Sequence, residues 1–570
     1  MRQLFYSILL IINGGLLAQN QLEYRWSFHD ISDTAGTQLL PIDTGDYFHL
    51  RQDGRFQYEL AAKDNLLARG SWQLRQDTLV LAYEMPADTT RYYHIRASSD
   101  TLLTINEGRV NYSFSRTALD TVNENSTGLP LNYDYSNTGF NPQALLRGLL
   151  GLSVLVFLTF LMSSRRRAVN WSLIIKGLVI QFIFALAILK LPLIRQAFDW
   201  VSRAFVTLLS FTFKGSEFLF GGLMDASDSF GYIFAFQVLP TVIFFSALTS
   251  LLFYYGILQK VVFAFAWVMK RTMKLSGAES LAAAGNIFLG QTESPLLVKP
   301  YIRKMTRSEL MCLMSGGMAT IAGGVLAAYI GFLGGASEIQ QVFFAKHLLA
   351  ASVMSAPAAV VAAKLLIPET GKVNDSMHIE KSGLGANALE AIANGTTEGL
   401  KLAVNVGAML LVFIAFIAMA NYILQDVLGE WLGLNAWVLD ISNGQYAGFT
   451  LQFILGYTLA PITWLMGVNG ADIVLVGQLL GEKTILNEFV AYVSLGDLME
   501  AGKFTSEKSI IIATYILCGF SNFASIGIQI GGIGSLAPNR KGDLSKLGFK
   551  ALIGGTMASL FTAVIVGMLI

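Results

Sequence analysis

Charge is scarce in this chain. Of its 570 residues only 14% are Asp, Glu, Lys or Arg, and 53% are hydrophobic, whereas soluble domains carry about a quarter charged residues. That balance excludes an ordinary soluble protein and marks a membrane protein. Neither sign dominates: 40 Lys and Arg stand against 39 Asp and Glu. With no basic surplus there is no argument for nucleic acid, and the placement of charges matters more than their sum. Cysteine is nearly absent. Cys312 and Cys518 lie in apolar runs, without the spacing of a disulfide framework or a metal site, and read as small buried side chains. The motifs HExxH and GxSxG and a carboxylate-rich magnesium motif are also missing, which leaves an enzyme without nucleophile or metal.

What is present falls into blocks. The opening "MRQLFYSILLIINGGLLAQN" has one arginine, a short glycine-broken apolar core and Ala18 before a polar stretch, as a secretory signal peptide over 1–18 would. Residues 19–117 alternate apolar and polar positions in "YFHLRQDGRFQYEL", "GSWQLRQDTLVLAYE" and "RYYHIRASSDTLLTI", and Asp53-Gly54 predicts a hairpin turn. The Gly-x-Trp pattern at Trp72, with short strands at regular spacing, resembles the lipocalin-like small β-barrels of bacterial surface and periplasmic proteins. A linker rich in Asn, Ser, Thr and Gly is expected over 118–143.

From residue 144 the chain reads as a polytopic α-helical membrane domain. About 20 apolar residues are needed per span, and eight stretches qualify, near 146–163, 171–192, 230–255, 308–332, 342–366, 400–424, 508–531 and 550–570. Positive charge sets their orientation. Arg165 to Arg167, the Lys270, Arg271 and Lys274 group, the Arg303, Lys304 and Arg307 group, and the Arg540, Lys541, Lys546 and Lys550 group all fall inside if the N-terminus is outside. An exported β domain agrees, and the even count puts the C-terminus outside as well.

Some apolar segments do not read as spans. Residues 195–221 and 259–274 mix charges with aromatics and suit interfacial helices. Residues 277–299, interrupted at Gly290 to Pro295, and roughly 448–497, interrupted by glycines and by "NGAD" and "GEKT", read as re-entrant hairpins. Irregular backbone at membrane depth is tolerated only against protein or a watery cavity, so such a pair predicts a binding site. The first hairpin carries Glu293 and precedes "SEL" and a helix with "MATIAGG"; the second carries Glu488 and precedes "SEK" and a helix with "FASIGI". Two such units predict inverted repeats with a ligand held between them.

Glu293 and Glu488 stand out because a carboxylate at membrane depth costs roughly 2.5–3.5 kcal/mol on insertion scales. Around Glu293, Thr292 is expected to cap the half-helix starting at Pro295, Gly290 to allow a tight reversal, and Gln291 to offer both donor and acceptor. A polar, roughly neutral ligand suits such an edge. Three classes of function remain at this point: a transporter, an intramembrane enzyme using the two glutamates as general acid and base, and a receptor that senses through its β domain. His347, inside a span, is expected to be structural rather than a proton relay.

The motifs "GNIFLGQTESPLLVKPYI", "MTRSEL", "GGMATIAGGVLAAY", "LNEFVAY" and "CGFSNFASIGIQIGGIGSLAP", in this order, resemble the concentrative nucleoside transporters over roughly 146–570. That resemblance implies a cation-coupled symporter importing nucleosides by alternating access across the bacterial cytoplasmic membrane, built as a homotrimer with scaffold and mobile transport domains. It implies that Gln291, Thr292 and Glu293 meet the nucleobase, with Gly290 and Val325 shaping that end. Glu488, Asn522 and Ser525 would bind ribose hydroxyls, and Phe520 would pack beside them. The coupling ion it implies is sodium, on Asn286, the Leu289 carbonyl, the Thr320 hydroxyl and the Ile321 carbonyl, with a proton used instead in some relatives; no other cofactor is expected. Thr320 stands where a serine is usual in the family.

Overall fold

The computed structural model describes residues 25–33, 39, 42, 47–50, 55–60, 66–75, 78–85, 89–98, 102–115, 141–224, 233–335, 337–373 and 386–570. The expected signal peptide, the Asp53-Gly54 turn and the linker as far as residue 140 lie outside these residues. The chain divides into two compact units, 1–127 and 128–570.

The first unit is a closed barrel of eight strands in sequence order, β1 (Arg25–Asp33), β2 (Tyr47–Leu50), β3 (Arg55–Leu60), β4 (Leu66–Arg75), β5 (Thr78–Met85), β6 (Thr89–Ser98), β7 (Leu102–Glu107) and β8 (Val110–Ser115). Each strand pairs antiparallel with the next, and β8 closes on β1. Closure removes the sheet edges that would otherwise invite pairing with other chains. Alternation along the strands sends Trp26, Phe48, Phe56, Trp72, Leu81 and Phe114 into a buried core. β2 and β3 pair in the register Phe48↔Tyr58, on either side of the expected turn.

The second unit is helical. Among the described residues seven stretches are long and apolar enough to cross a membrane: Pro142–Leu161, Trp171–Lys190, Ala235–Tyr254, Arg307–Gly334, Glu338–Leu366, Ala388–Gly429 and Pro538–Leu569. The stretch expected as a span at 508–531 is not among them: it is divided into the shorter helices Glu507–Leu517 and Phe523–Leu536 on either side of a break. Gly519 causes that break. Its φ of +122° is one that L side chains rarely adopt, and a Cβ there would come within 2.8 Å of the Ala319 carbonyl carbon. The expected interfacial segments are helices Pro192–Phe220 and Ile257–Met273.

The core of this unit is one motif used twice. Its first copy runs through α2 (Gly277–Gly285), a tip, the short turn Ser294–Leu297, α3 (Arg307–Ala319), a break at Thr320–Ala322, α4 (Gly323–Gly334) and α5 (Glu338–Leu366), where α1 denotes the preceding Leu239–Tyr254. After α6 (Ala388–Asn421) comes the second copy: α7 (Ile473–Ile485), α8 (Glu488–Glu500), α9 (Glu507–Leu517), a break, α10 (Phe523–Leu536) and α11 (Lys541–Leu569). The second hairpin is therefore shorter than expected. Leu451–Leu465 is a separate helix, "GEKT" is helical, and the reversal is confined to Leu486 and Asn487, whose amide oxygen caps α8 by accepting from the Val490 N–H at 2.9 Å.

Polar side chains pin the base of each hairpin. Capping boxes start α2 (Ser276, Glu279) and α3 (Thr306, Glu309). The Ser276 hydroxyl donates to Glu309 at 2.7 Å, and buried Lys364 at the end of α5 pairs with Glu279 and donates to the Ser308 hydroxyl at 2.9 Å. In the second copy one Asp472 carboxylate oxygen accepts from both the amide and the hydroxyl of Thr505, at 2.9 Å each. α6 packs against α1 through Gly395 and Gly399, a small-xxx-small pair where a Cβ would come within 2.8 Å of α1 backbone.

Candidate substrate and cation site

Both hairpin tips and both helix breaks converge on a cavity of about 390 Å³, within the ~300–1,000 Å³ typical of small-molecule sites. All nine residues singled out for the ligand line it. Gly290, Gln291, Thr292 and Glu293 come from the first tip and Val325 from α4. Glu488 comes from the second tip, and Phe520, Asn522 and Ser525 from the second break and the start of α10.

Hydrogen bonds tie these groups together. The Asn522 amide donates to a Glu488 carboxylate oxygen at 2.6 Å while its own oxygen caps α10, accepting from the Ser525 N–H at 2.9 Å. The Gln291 amide donates to the Ser525 hydroxyl at 3.1 Å, joining the first tip to α10. Gln291 Oε1 is buried with no partner, and Glu488 is 3% exposed in the first turn of α8. There the helix macrodipole favours a negative charge. The seat of Gln291 is carved by Gly317, where a Cβ would meet the Gln291 Cβ at 2.9 Å.

Two expectations about the first tip change. Thr292 does not cap the turn at Pro295: the N-cap position is Glu293, and no side chain bonds the amides there. Instead the Glu293 carboxylate reaches back and accepts from the Gly290 N–H at 3.0 Å, while the Gly290 carbonyl accepts from the Glu293 and Ser294 amides. Thr292 faces Gly532 of α10. Gly290 serves close packing rather than an unusual φ, since a Cβ there would stand 3.3 Å from that of Ala322.

The cation candidates also gather. Asn286 ends α2, is 1% exposed, and its side-chain oxygen and nitrogen both lack a protein partner. Its amide lies against Gly316 in α3, and the Thr320 hydroxyl donates to the Gly316 carbonyl at 2.9 Å. A bond from the Gly323 N–H to the Phe288 carbonyl at 3.2 Å ties the segment bearing Leu289 to the break bearing Ile321. A buried amide with unmet valences beside helix-end carbonyls fits a hard cation held by neutral oxygens. His347 is buried and its Nδ1 lies 3.3 Å from the Tyr515 hydroxyl, away from the cavity lining.

A further wall of the cavity carries none of the residues singled out from sequence. It is one face of α6, with Glu398, Lys401, Asn405 and Met409 at helical spacing, the first two joined by a 2.8 Å ion pair. Three polar residues at i, i+3 and i+7 in a long apolar helix were the available signal.

Three family models match the chain: "Na+ dependent nucleoside transporter N-terminus" over 150–223, "Nucleoside recognition" over 235–336 and "Na+ dependent nucleoside transporter C-terminus" over 347–567. An uncharacterized transporter of Haemophilus influenzae is 41% identical over 75% of this chain and 98% of its own length. Sodium/nucleoside cotransporter 2 of Rattus norvegicus is 38% identical over 76% of this chain and 64% of the rat protein. Among solved structures, CNTnw in an inward-facing substrate-bound state superimposes with a TM-score of 0.67 at 36% identity, covering 75% of this chain and 98% of CNTnw. A CNTnw variant in an outward-facing state gives 0.69 at the same identity, over 75% and 98%. The chain belongs to the concentrative nucleoside transporter family, whose members are transporters and not enzymes.

Proposed function

We propose that the chain is a sodium-coupled symporter that imports nucleosides by alternating access. The observation that carries this reading is the cavity between the two hairpin tips, in which Gln291 and Glu293 face it from one repeat and Glu488 and Asn522 from the other. A nucleoside has a flat base edge with donors and acceptors at one end and a vicinal diol at the other. Gln291, Thr292 and Glu293 read the base edge, with Gly290 and Val325 setting its width. Glu488, Asn522 and Ser525 take the ribose, where hydroxyls donating to an ionised carboxylate form charge-assisted bonds. Phe520 packs beside the sugar.

Sodium on Asn286, Thr320 and the carbonyls of Leu289 and Ile321 stabilises the tip that presents Gln291 and Thr292, so that ion and nucleoside bind together. The sodium in the name of the rat relative, sodium/nucleoside cotransporter 2, supports this choice. The protein acts as a homotrimer in the lipid of the bacterial inner membrane. Its organisation is a signal peptide over 1–18, an extracytoplasmic barrel domain over 19–117, a linker over 118–143 and the transport domain over 144–570, with both termini outside.

The test is uptake of labelled uridine and adenosine into proteoliposomes with and without a sodium gradient. Sodium-driven accumulation is expected. Uptake that ignores sodium and follows an imposed pH gradient would replace sodium by a proton, and no uptake of either nucleoside would sink the substrate class.

A further inference from the structure

We propose that the Lys483 ammonium is a tethered cation, occupying in the second repeat the place that a sodium ion takes in the first, so that one sodium accompanies each nucleoside. The proposal rests on the sodium reading above and concerns a residue outside the cavity lining.

The leading arms of the two hairpins carry different side chains near their ends. At the end of the first hairpin's leading arm stands Asn286, a neutral amide against the last turn of α3, buried and with both polar atoms unpartnered. In the last turn of the second hairpin's leading arm stands Lys483, fully buried against the last turn of α9. Its Nζ donates to the Ile516 carbonyl at 2.8 Å and to the Ser559 hydroxyl at 3.2 Å. That hydroxyl donates in turn to the Cys518 carbonyl at 2.8 Å, on the break itself. A half-helix that stops inside the membrane exposes carbonyls and the negative end of its dipole, and both favour a cation. The second repeat supplies that cation covalently. The first supplies an amide whose valences are unmet.

The charges of Lys483 and Glu488 attract only at a distance: the direct bonds of the ammonium go to the Ile516 carbonyl and the Ser559 hydroxyl, and the Glu488 carboxylate is bonded by Asn522. A lysine with no function at this depth would be costly. Its reach to the ligand is indirect: the Cys518–Asn522 break carries Phe520 and Asn522 into the cavity, and Asn522 orients Glu488. Lys483 is thus a positioning residue.

The test is uridine affinity of the purified full chain, with sodium titrated against choline at constant pH and ionic strength. For the parent, the logarithm of affinity should follow the logarithm of sodium with a slope of about one. Lys483→Met, of similar length but neutral, should weaken uridine binding at saturating sodium by about tenfold or more. Lys483→Ala should lose as much and regain it when methylammonium, but not methanol, is added. If Lys483→Ala is poorly folded, its melting temperature carries the same comparison: a rise with methylammonium supports the proposal and no rise overturns it. A parent slope near two overturns it, as does a Lys483→Met variant with the parent's affinity in a sodium-dependent background. A parent that ignores sodium altogether overturns the sodium reading first and this proposal with it.

Discussion

The side-chain amide of Asn522 stands 2.6 Å from a carboxylate oxygen of Glu488, and the same residue caps α10 through its other amide atom. One side chain thereby fixes both the second helix break and the acid on the facing hairpin. The acid keeps a further lone-pair direction for a ligand, since an ionised carboxylate accepts several bonds.

Glu488→Gln should therefore leave the protein folded, because an amide of the same size still meets Asn522, and should suppress uridine transport. Hydrogen bonds to charged groups contribute about 1.5–3 kcal/mol, so affinity should fall roughly ten- to a hundredfold. Deoxyuridine should be penalised less by the substitution than uridine. Competition binding on the monodisperse variant checks this, and unchanged uridine affinity would remove Glu488 from the ribose site.

Gly290 offers a second test. The parent should accept purine as well as pyrimidine nucleosides, because Gly290 puts no side chain beside Gln291 at the base end. Gly290→Ala would put a methyl 3.3 Å from the Ala322 Cβ, tighter than most packed contacts, and in ordinary contact with the Glu293 carboxylate at 3.6 Å, and should cut adenosine uptake more than uridine uptake. Purines that fail to compete with uridine in the parent, even in large excess, would rule out the broad site.

These residues were legible in sequence because their chemistry is local. A carboxylate in an apolar run signals itself, and so do Gly290 and Pro295 as punctuation. The second hairpin is shorter than its sequence suggests because its reversal at Leu486 and Asn487 has neither glycine nor proline, while the glycines nearby serve packing: Gly477 and Gly481 are where Leu451–Leu465 comes close. The break at Cys518–Asn522 hid inside a stretch apolar enough to span. The α6 wall leaves only a weak trace in sequence, the polar spacing of Glu398, Lys401 and Asn405, because which face of a helix meets the cavity depends on its seat against α1 through Gly395 and Gly399.

The proposed cation site predicts an effect at a glycine that touches neither ligand. A Cβ on Gly316 would run into the Asn286 amide, so Gly316→Ala should displace Asn286. Sodium should then be needed at roughly tenfold higher concentration, with uridine affinity at saturating sodium changed little. Asn286→Ala should remove the sodium dependence itself. Sodium titrations of uridine binding on both variants decide; a Gly316→Ala curve that overlays the parent's would disconnect Asn286 from the ion.

At the base of the first hairpin, Lys364 pairs with Glu279 and lies 3.4 Å from Glu369, in a setting where its side chain is 5% exposed. Lys364→Met strands the Glu279 charge and should destabilise by about 3–5 kcal/mol, as broken buried pairs do. Adding Glu279→Gln should recover part of the loss. Thermal melting of the four proteins of this double-mutant cycle reads the coupling, and additive effects would mean that the pair does not hold the hairpin base.

The barrel makes a prediction about alkaline pH. Along β6, Tyr92 is exposed and its neighbour Tyr93 buried, as alternate positions of a strand require. The Tyr93 hydroxyl lies 2.9 Å from that of Tyr83. Burial disfavours the phenolate, so it pushes the Tyr83 and Tyr93 hydroxyls well above the ordinary range and that of Tyr112 up to about 12. A folded pKa above the unfolded value of about 10 means that the folded barrel holds its protons more tightly. The resulting stability is fully present below about pH 10 and drains away as pH rises through the folded values. Tetranitromethane, which attacks exposed phenolates, should therefore label Tyr92 first. Tyr83, Tyr93 and Tyr112 should stay protected at pH values where Tyr92 already reacts, and should react together only once alkaline pH opens the barrel. Peptide mapping by mass spectrometry reads each site, and Tyr83 labelled as early as Tyr92 would show that the interior is wet.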